Sequence, residues 1–392
     1  MGNTRPTALV AMSGGVDSSV AALLMQQQGY DCTGVTMRLF DGDGDDGEAS
    51  SGCCSLSEVE DAKRVCAALG IPHYTFNFTD SFEEKVIAPF VASYLRGATP
   101  NPCIECNRHL KFDRLMRRAR ALGFTCMVTG HYARIVTYDD SDAVLAPDKH
   151  GATGRQGLLT AVDSSKDQSY VLFSLTQQQL AYLRLPLGGY LKEHVRELAQ
   201  RAGLPTAHKG ESQDICFVGD KGYAAFIESC SSEARRPGQI VDEQGHVLGV
   251  HAGIAHYTIG QRKGLGVAAG VPLYVKAIDA AHAHIVVAPL ERLGCRTAFV
   301  EDVNLTVGET GGGCALAAAL RVAARTGVLA KHRYRSALRP ASATMLDASV
   351  LRVDFEAPVR DLASGQALVL YTPATDGDGM LVLGGGTISS TA

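Results

Sequence analysis

Two kinds of residue in this chain could do chemistry: a serine- and glycine-rich string suited to holding a phosphate, and cysteines in settings suited to carrying sulfur. Ser13-Gly14-Gly15-Val16-Asp17-Ser18-Ser19 follows a short apolar run and opens a helical pattern. Paired glycines let the backbone turn tightly and approach a phosphate, and the N–H groups and dipole of a helix start attract anions. The hydroxyls of Ser13, Ser18 and Ser19 add donors. The string reads as a pyrophosphate cradle, against the plainer reading of a glycine turn with Asp17 or Ser18 capping a helix. A Walker A loop is excluded, because no Gly-Lys-Ser/Thr follows at the required spacing.

Three of the 11 cysteines stand apart. Cys103 and Cys106 form Cys-Ile-Glu-Cys within Thr99–Asn107, where Pro100 and Pro102 fix an extended entry. Cys216 comes much later, in Glu211–Phe217. The thiolate is the reactive form, and a paired cysteine or a nearby cation increases its population. Alone, Cys-x-x-Cys is open between a redox pair, half a metal site and coincidence. Structural zinc would need ligands from Cys53, Cys54 or His109, whose spacing is poor. Cys32, Cys66, Cys126, Cys230, Cys295 and Cys314 sit among apolar or small residues and read as packing residues.

His131 follows a predicted strand end, where ligands gather in α/β sheets. Lys166-Asp167-Gln168 by itself reads as a solvated loop. Arg321, Arg325, Lys331, His332, Arg333, Arg335 and Arg339 form a basic cluster suited to phosphate contact, with Tyr334 able to stack on a base or to pack. Arg262 and Lys263 make a second, smaller positive point. Asp41, Asp43 and Asp45 imitate the start of a calcium loop, but Asp46 stands where the turn glycine belongs and Gly52 where the bidentate glutamate belongs, so Asp41–Gly52 reads as a surface loop.

These groups need a scaffold. Thr7 to Met12 reads as a buried strand, Ser18 to Gln28 as a helix, Thr33 to Leu39 as a strand and Ser57 to Leu69 as a helix; after Gly70-Ile71-Pro72, extended structure resumes over His73 to Phe78. This alternation predicts a parallel sheet covered by helices, with ligands at the carboxyl ends of its strands. A helix over Leu110–Leu122, a strand over Cys126–Thr129 and a helix over Leu191–Ala202 continue the pattern. After about Gly210 come short β-like runs at Gln239–Asp242, Val247–Val250, Leu273–Ile278 and Ile285–Ala288, which predict a small β-rich module. A third segment carries strands over Leu351–Phe355 and Ala367–Tyr371 and a turn at Gly365-Gln366, while Cys314–Ala330 is open between helix and strand. The expected division is 1–212, 213–288 and 289–392.

Composition sets the outer bounds. A chain of 392 residues exceeds one ordinary core, and 46% hydrophobic with 20% charged residues is globular composition. With 37 Lys and Arg against 41 Asp and Glu, the net charge is −4, so any nucleic-acid surface must be a local patch. The apolar run Ala8–Met12 is too short for a secretory signal, and no run approaches the ~20 residues of a membrane span. A cytoplasmic protein in a reducing compartment, away from membranes, is expected.

The strings Ser13–Ser19, Asn101–Asn107, Thr129–Arg134, Lys166–Tyr170, Ser212–Phe217 and Tyr257–Gly266, in this order and over most of the chain, resemble bacterial tRNA-specific 2-thiouridylases of the PP-loop ATPase superfamily. The resemblance implies an α/β fold: an N-terminal parallel-sheet PP-loop domain, like adenine nucleotide α hydrolases, then a small β-rich central domain and a C-terminal β-barrel-like domain that contacts tRNA. It implies ATP, split between its α and β phosphates with Mg2+ as cofactor, and contacts to it at Ala11, Met12, Ser13, Gly14, Gly15, Val16, Asp17, Ser18, Met37 and Gly130. It implies target-base contacts at Asn101, Pro102 and Cys103, and further tRNA contacts at His131, Lys166, Asp167, Gln168, Arg333, Tyr334 and Gln366. Cys106 would be the nucleophile, and Cys216 would carry a persulfide received from an upstream sulfur-donor protein. Some members carry Asp where Cys103 stands, which leaves open a second route: a [4Fe-4S] cluster on Cys103, Cys106 and Cys216. A PP-loop ligase or amidotransferase acting on a small metabolite is the rival enzyme; it would not require Cys106 or Cys216.

Overall fold

The computed structural model describes residues 5–40, 56–138, 144–147, 155–210, 215–219, 222–307, 320, 323, 327–347, 349–374 and 378–392. The acidic stretch Asp41–Gly52, Cys53, Cys54, Cys314, Arg321 and Arg325 lie outside the described residues.

The N-terminal part supplies β1 (Thr7–Ala11), β2 (Asp31–Arg38), β3 (His73–Asn77), β4 (Cys126–Val128), β5 (Ala133–Tyr138), β6 (Val144–Pro147), β7 (Arg155–Thr160) and β8 (Leu183–Arg184). Five of these form a sheet in the order β3-β2-β1-β4-β8, all parallel. β1 is buried at its centre, as a strand covered on both faces must be. Helix α1 (Val16–Gln27), α2 (Leu56–Leu69) and the helix Lys192–Arg201 share one cluster with the sheet, including Val10, Val20, Met25, Val65, Leu187 and Val195. The opposite face packs a second, larger cluster with Phe82, Phe90, Leu110, Leu115 and Tyr170. This is the doubly covered parallel sheet that the alternating pattern predicts.

The helix expected over Leu110–Leu122 begins earlier. A short helix, Pro102–Glu105, runs into wide i to i+5 turns over Cys106–Leu115 and then into regular helix over Met116–Ala121. Pro102 occupies the first helical position, where its missing N–H costs nothing. The entry is extended as expected, with Asn101 at φ −112° and ψ 98°, and Pro102 itself opens the helix.

The central part holds β9 (Gly238–Val241), β10 (Val247–His251), β11 (Leu273–Asp279) and β12 (His284–Pro289), ordered β10-β9-β12-β11, with β9 and β12 parallel. The last part holds β13 (Cys295–Asn304), β14 (Val328–Lys331), β15 (Arg339–Met345), β16 (Leu351–Val359), β17 (Ala367–Pro373) and β18 (Met380–Thr391). These run β13-β16-β15-β14-β17-β18, and pairing of β18 back onto β13 closes a six-stranded barrel. Closure leaves no open edge among the six.

One connection crosses the sequence order. β7 pairs with β18 at Leu159 and Leu381, so the run β7-β5-β6 extends the barrel's sheet although it belongs to the N-terminal part of the chain. Asn304 Nδ2 donates to the carbonyls of Phe173 (2.7 Å) and Leu175 (3.2 Å), and the Tyr170 hydroxyl donates to the Ala367 carbonyl (2.8 Å). The barrel and the N-terminal part are thus tied by buried and partly buried polar contacts.

Candidate active site

The glycine-serine string forms the loop between β1 and α1. Gly14 has φ +71°, and a Cβ there would collide with the Glu58 carbonyl at the start of α2. Ser18 Oγ accepts from the Ser13 amide (3.2 Å) and donates to the Gly15 carbonyl (3.1 Å); Ser19 Oγ donates to the same carbonyl (2.8 Å). Gly15 is the cap of α1, and no side chain caps it, so the plainer rival reading of Asp17 or Ser18 as a simple helix cap fails. The helix start presents its N–H groups with the positive end of the dipole, the arrangement that binds anions. Gly130, after β4, packs onto this turn so closely that a Cβ would lie 2.8 Å from the Ser18 amide nitrogen. Ala11, Met12 and Val16 frame the loop, and Met37 is buried in the adjacent β2. The expected phosphate-site residues therefore converge at the carboxyl ends of β1, β2 and β4.

Two lysines that the sequence reading did not single out brace this loop. Lys192 Nζ lies 2.7 Å from both carboxylate oxygens of Asp17, and the Tyr132 hydroxyl donates to Asp17 Oδ1 at 2.8 Å. Lys209 Nζ donates to the Gly14 carbonyl (3.1 Å) and to Asp61 (2.8 Å), with Glu58 at 3.9 Å. A signal for Lys192 was available: it opens a helix, where the dipole disfavours a cation unless an anion stands beside it.

Cys103 is exposed and Cys106 is buried, 9% accessible. Asn101 Oδ1 accepts from the Cys103 amide at 3.1 Å, capping the short helix that carries Cys103 and leads into the turns that begin at Cys106. Asn107 is buried and donates from Nδ2 to the Val171 carbonyl (3.0 Å), fixing the turn after Cys106. Cys216 packs against the same apolar cluster that contains Cys106 and Met37. Its neighbour Phe217 stands edge-on between Phe82 (5.5 Å between centroids) and Phe90 (5.3 Å), which holds the Cys216 segment against that cluster. Glu211 to Asp214, which precede it, lie outside the described residues.

Of the remaining cysteines, Cys32, Cys66 and Cys126 are core residues as expected, and burial pushes their thiols up to about 12, 11 and 11. Cys230 is exposed, which corrects its reading as a packing residue, whereas Cys295 is half-buried and packs against the barrel core as read. Among the described residues no three His, Cys, Asp or Glu side chains are gathered where they could hold a single metal ion.

The residues expected to touch RNA fall into two groups. His131 is buried; Thr129 Oγ1 lies 2.7 Å from its Nδ1, and burial, with Lys111 nearby, holds its pKa well below the usual value. Asp167 is 8% accessible and accepts from the Ala161 amide (2.9 Å) and the Ser169 hydroxyl (2.8 Å), so the expected solvated loop is in fact anchored. Gln168 Oε1 accepts from the Tyr132 amide (2.9 Å); Lys166 is half-buried.

The second group is on the barrel. Arg333 donates to the Ile259 carbonyl (3.1 Å) and pairs with Asp361 (3.3 Å), while buried His332 bonds Asp361 at 2.9 Å. Lys331 lies about 6 Å above the rings of Tyr170 (6.0 Å) and Tyr334 (5.9 Å), and Tyr334 is 37% accessible. The basic cluster is therefore partly folded inward rather than one solvated face. Gln366 Nε2 donates to the Thr99 carbonyl at 2.7 Å, two residues before Asn101.

A family model described as the tRNA methyl transferase HUP domain matches residues 6–220. The tRNA methyl transferase PRC-barrel domain matches 224–289, and the aminomethyltransferase beta-barrel domain matches 318–388. The tRNA-specific 2-thiouridylase MnmA of Heliobacterium modesticaldum is 46% identical over 388 residues, covering 98% of this chain and 92% of that protein. Its namesake in Moorella thermoacetica is 46% identical over 385 residues, covering 98% and 99%. That of Clostridioides difficile is 43% identical over 383 residues, covering 98% of each. Among the described residues no helix is long and apolar enough to cross a membrane.

Proposed function

This chain belongs to the tRNA-specific 2-thiouridylase family, and we propose that it makes 2-thiouridine at the wobble position of tRNA by adenylation followed by transfer of sulfur from a cysteine persulfide. It is a tRNA sulfurtransferase. The observation that carries the adenylation and sulfur chemistry is the shared core: Met37, beside the phosphate loop, and Cys106 and Cys216 all belong to or pack on one apolar cluster. A small-metabolite ligase would not require Cys106 or Cys216.

The C2 oxygen of the uridine attacks the α-phosphate of ATP, and pyrophosphate leaves. The loop from Ser13 to Ser18 holds the phosphates with backbone N–H groups and hydroxyls; bound Mg2+ supplies charge neutralisation. The outer sulfur of a Cys216 persulfide, loaded by an upstream donor protein, then attacks C2. AMP departs with the original oxygen, leaving C2 joined to Cys216 through a disulfide. The Cys106 thiolate attacks the Cys216 sulfur; the S–S electrons pass to the outer sulfur, which remains on the base as the thiocarbonyl. The products are thiolated tRNA and a Cys106–Cys216 disulfide, which a cellular dithiol reduces before the next cycle. Asn101, Pro102 and Cys103 line the base pocket, and His131, Lys166 to Gln168, Arg333, Tyr334 and Gln366 guide the tRNA. Residues 1–212, 213–288 and 289–392 serve as catalytic, central and tRNA-contacting domains.

The test is pyrophosphate release with purified tRNA, ATP and a sulfur source. Release should require tRNA and should survive Cys216→Ser, because adenylation precedes sulfur transfer. Release driven by a small metabolite without tRNA would sink the proposal.

A further inference from the structure

The geometry points to Lys192 as a polyphosphate-binding residue of this enzyme, a role resting on the adenylation reading above. The loop from Ser13 to Ser18 offers hydroxyls and amides, but its own charged side chain is an anion, Asp17. A nucleoside triphosphate brings several negative charges to it, and hydrogen bonds from cations to phosphate are stronger than those from neutral donors. Two ammonium groups touch the loop. Lys209 meets it at the Gly14 carbonyl and is held by Asp61 and Glu58, on the side of α2. Lys192 comes to the other side, the first turn of α1, where the helix presents its N–H groups.

Lys192 is built into that place. Its side chain is 10% accessible, its backbone amide donates to Asp163 Oδ2 (2.9 Å), and its ammonium approaches the Tyr132 ring at 5.6 Å. The segment behind it is fastened to the same turn, since the Thr206 hydroxyl donates to Ser19 Oγ at 2.9 Å in the buried interior. Packing gives little reason for a lysine there. A buried ion pair is commonly no more stabilising than apolar residues of the same volume, and a cation at a helix N-terminus opposes the dipole. A charge kept at this cost beside an anion-binding helix start is one that the bound phosphates use. Lys192 both steadies Asp17 and reaches the polyphosphate; a four-carbon stem lets an ammonium shift between neighbouring oxygens.

Binding of ATP and of AMP, measured by calorimetry without tRNA, separates this role from a purely structural one. The comparison uses the wild-type chain, Lys192→Gln, Asp17→Asn and the double variant, which leaves neither charge of the pair uncompensated and so guards against misfolding. The double variant should bind ATP about tenfold or more weakly than Asp17→Asn alone, as loss of a charge-assisted phosphate contact implies. AMP, which lacks the pyrophosphate, should bind both within about twofold. If the double variant and Asp17→Asn bind ATP equally, Lys192 serves only to neutralise Asp17 and the inference is wrong, with the adenylation reading untouched. If the wild-type chain binds no ATP, both fall.

Discussion

The side-chain amide of Gln366 donates to the backbone carbonyl of Thr99 at 2.7 Å, and the Thr99 amide in turn donates to the Ser364 carbonyl at 2.8 Å. A turn of the C-terminal barrel thereby holds the strand of chain that leads into Asn101-Pro102-Cys103-Ile104-Glu105-Cys106. Ile278 of the central part packs on the neighbouring Gly97. All three parts of the chain meet just ahead of Cys103 and Cys106. Gln366→Ala should therefore lower thiolation about fivefold, the worth of one hydrogen bond of roughly 1 kcal/mol. ATP affinity should stay at the wild-type value. Equal loss of ATP binding would show that the tether acts elsewhere.

Gly130→Ala tests the close approach of β4's end to the phosphate loop. The added methyl would meet the backbone at the Ser18 amide, which cannot swing aside as a side chain can. The loop must shift, and ATP affinity should fall by at least tenfold with a melting point lowered by only a few degrees, an overpacking cost of about 1–3 kcal/mol. Calorimetry and thermal melting on the same sample read both.

The strand and helix around the phosphate loop were legible because their signals are local: an apolar run, paired glycines and a helical pattern within some twenty residues. The attachment of β7 to β18 was not, since no strand is read from the sequence over Arg155–Thr160 and its partner lies in the last strand of the chain. The same holds for Lys192 and Asp17, joined by folding and by no motif. Pro102 was legible in part: it sets Asn101 extended, as read, but the helix that starts at Pro102 itself depends on the Asn101 cap, which no motif announced. Cys103, Cys106 and Cys216 were singled out by their motifs, whereas the exposure of Cys230 depends on which face its helix turns outward.

His131 makes stability depend on pH. Its folded pKa is held well below the ordinary value by burial, so as pH falls through about 6.5 the unfolded chain takes up a proton that the folded chain refuses. Stability present above that pH is lost progressively below it. Melting points at pH 7.5, 6.5 and 5.5 should decline, and His131→Gln should flatten the decline without abolishing it. His73 and His251 are lowered by burial in the same direction and supply the rest. An unchanged slope in His131→Gln would contradict the neutral, buried imidazole.

Arg333 is held by Asp361 and the Ile259 carbonyl, with its neighbour Tyr334 open to solvent. If it meets a tRNA phosphate, Arg333→Ala should weaken binding and reduce the slope of log affinity against log salt by about one. Filter binding between low and moderate salt measures both. An unchanged slope would leave Arg333 as a brace between the central loop and the barrel.

The most direct test of sulfur transfer uses Cys106→Ser protein whose Cys216 has been loaded with labelled persulfide sulfur, mixed once with ATP and tRNA. Without Cys106, sulfur that has reached C2 stays joined to Cys216. The account predicts a labelled protein–tRNA adduct that needs ATP, is absent in Cys216→Ser, and releases 2-thiouridine-containing tRNA on treatment with dithiol. Free 2-thiouridine formed at the wild-type rate by Cys106→Ser, with no adduct, would contradict it.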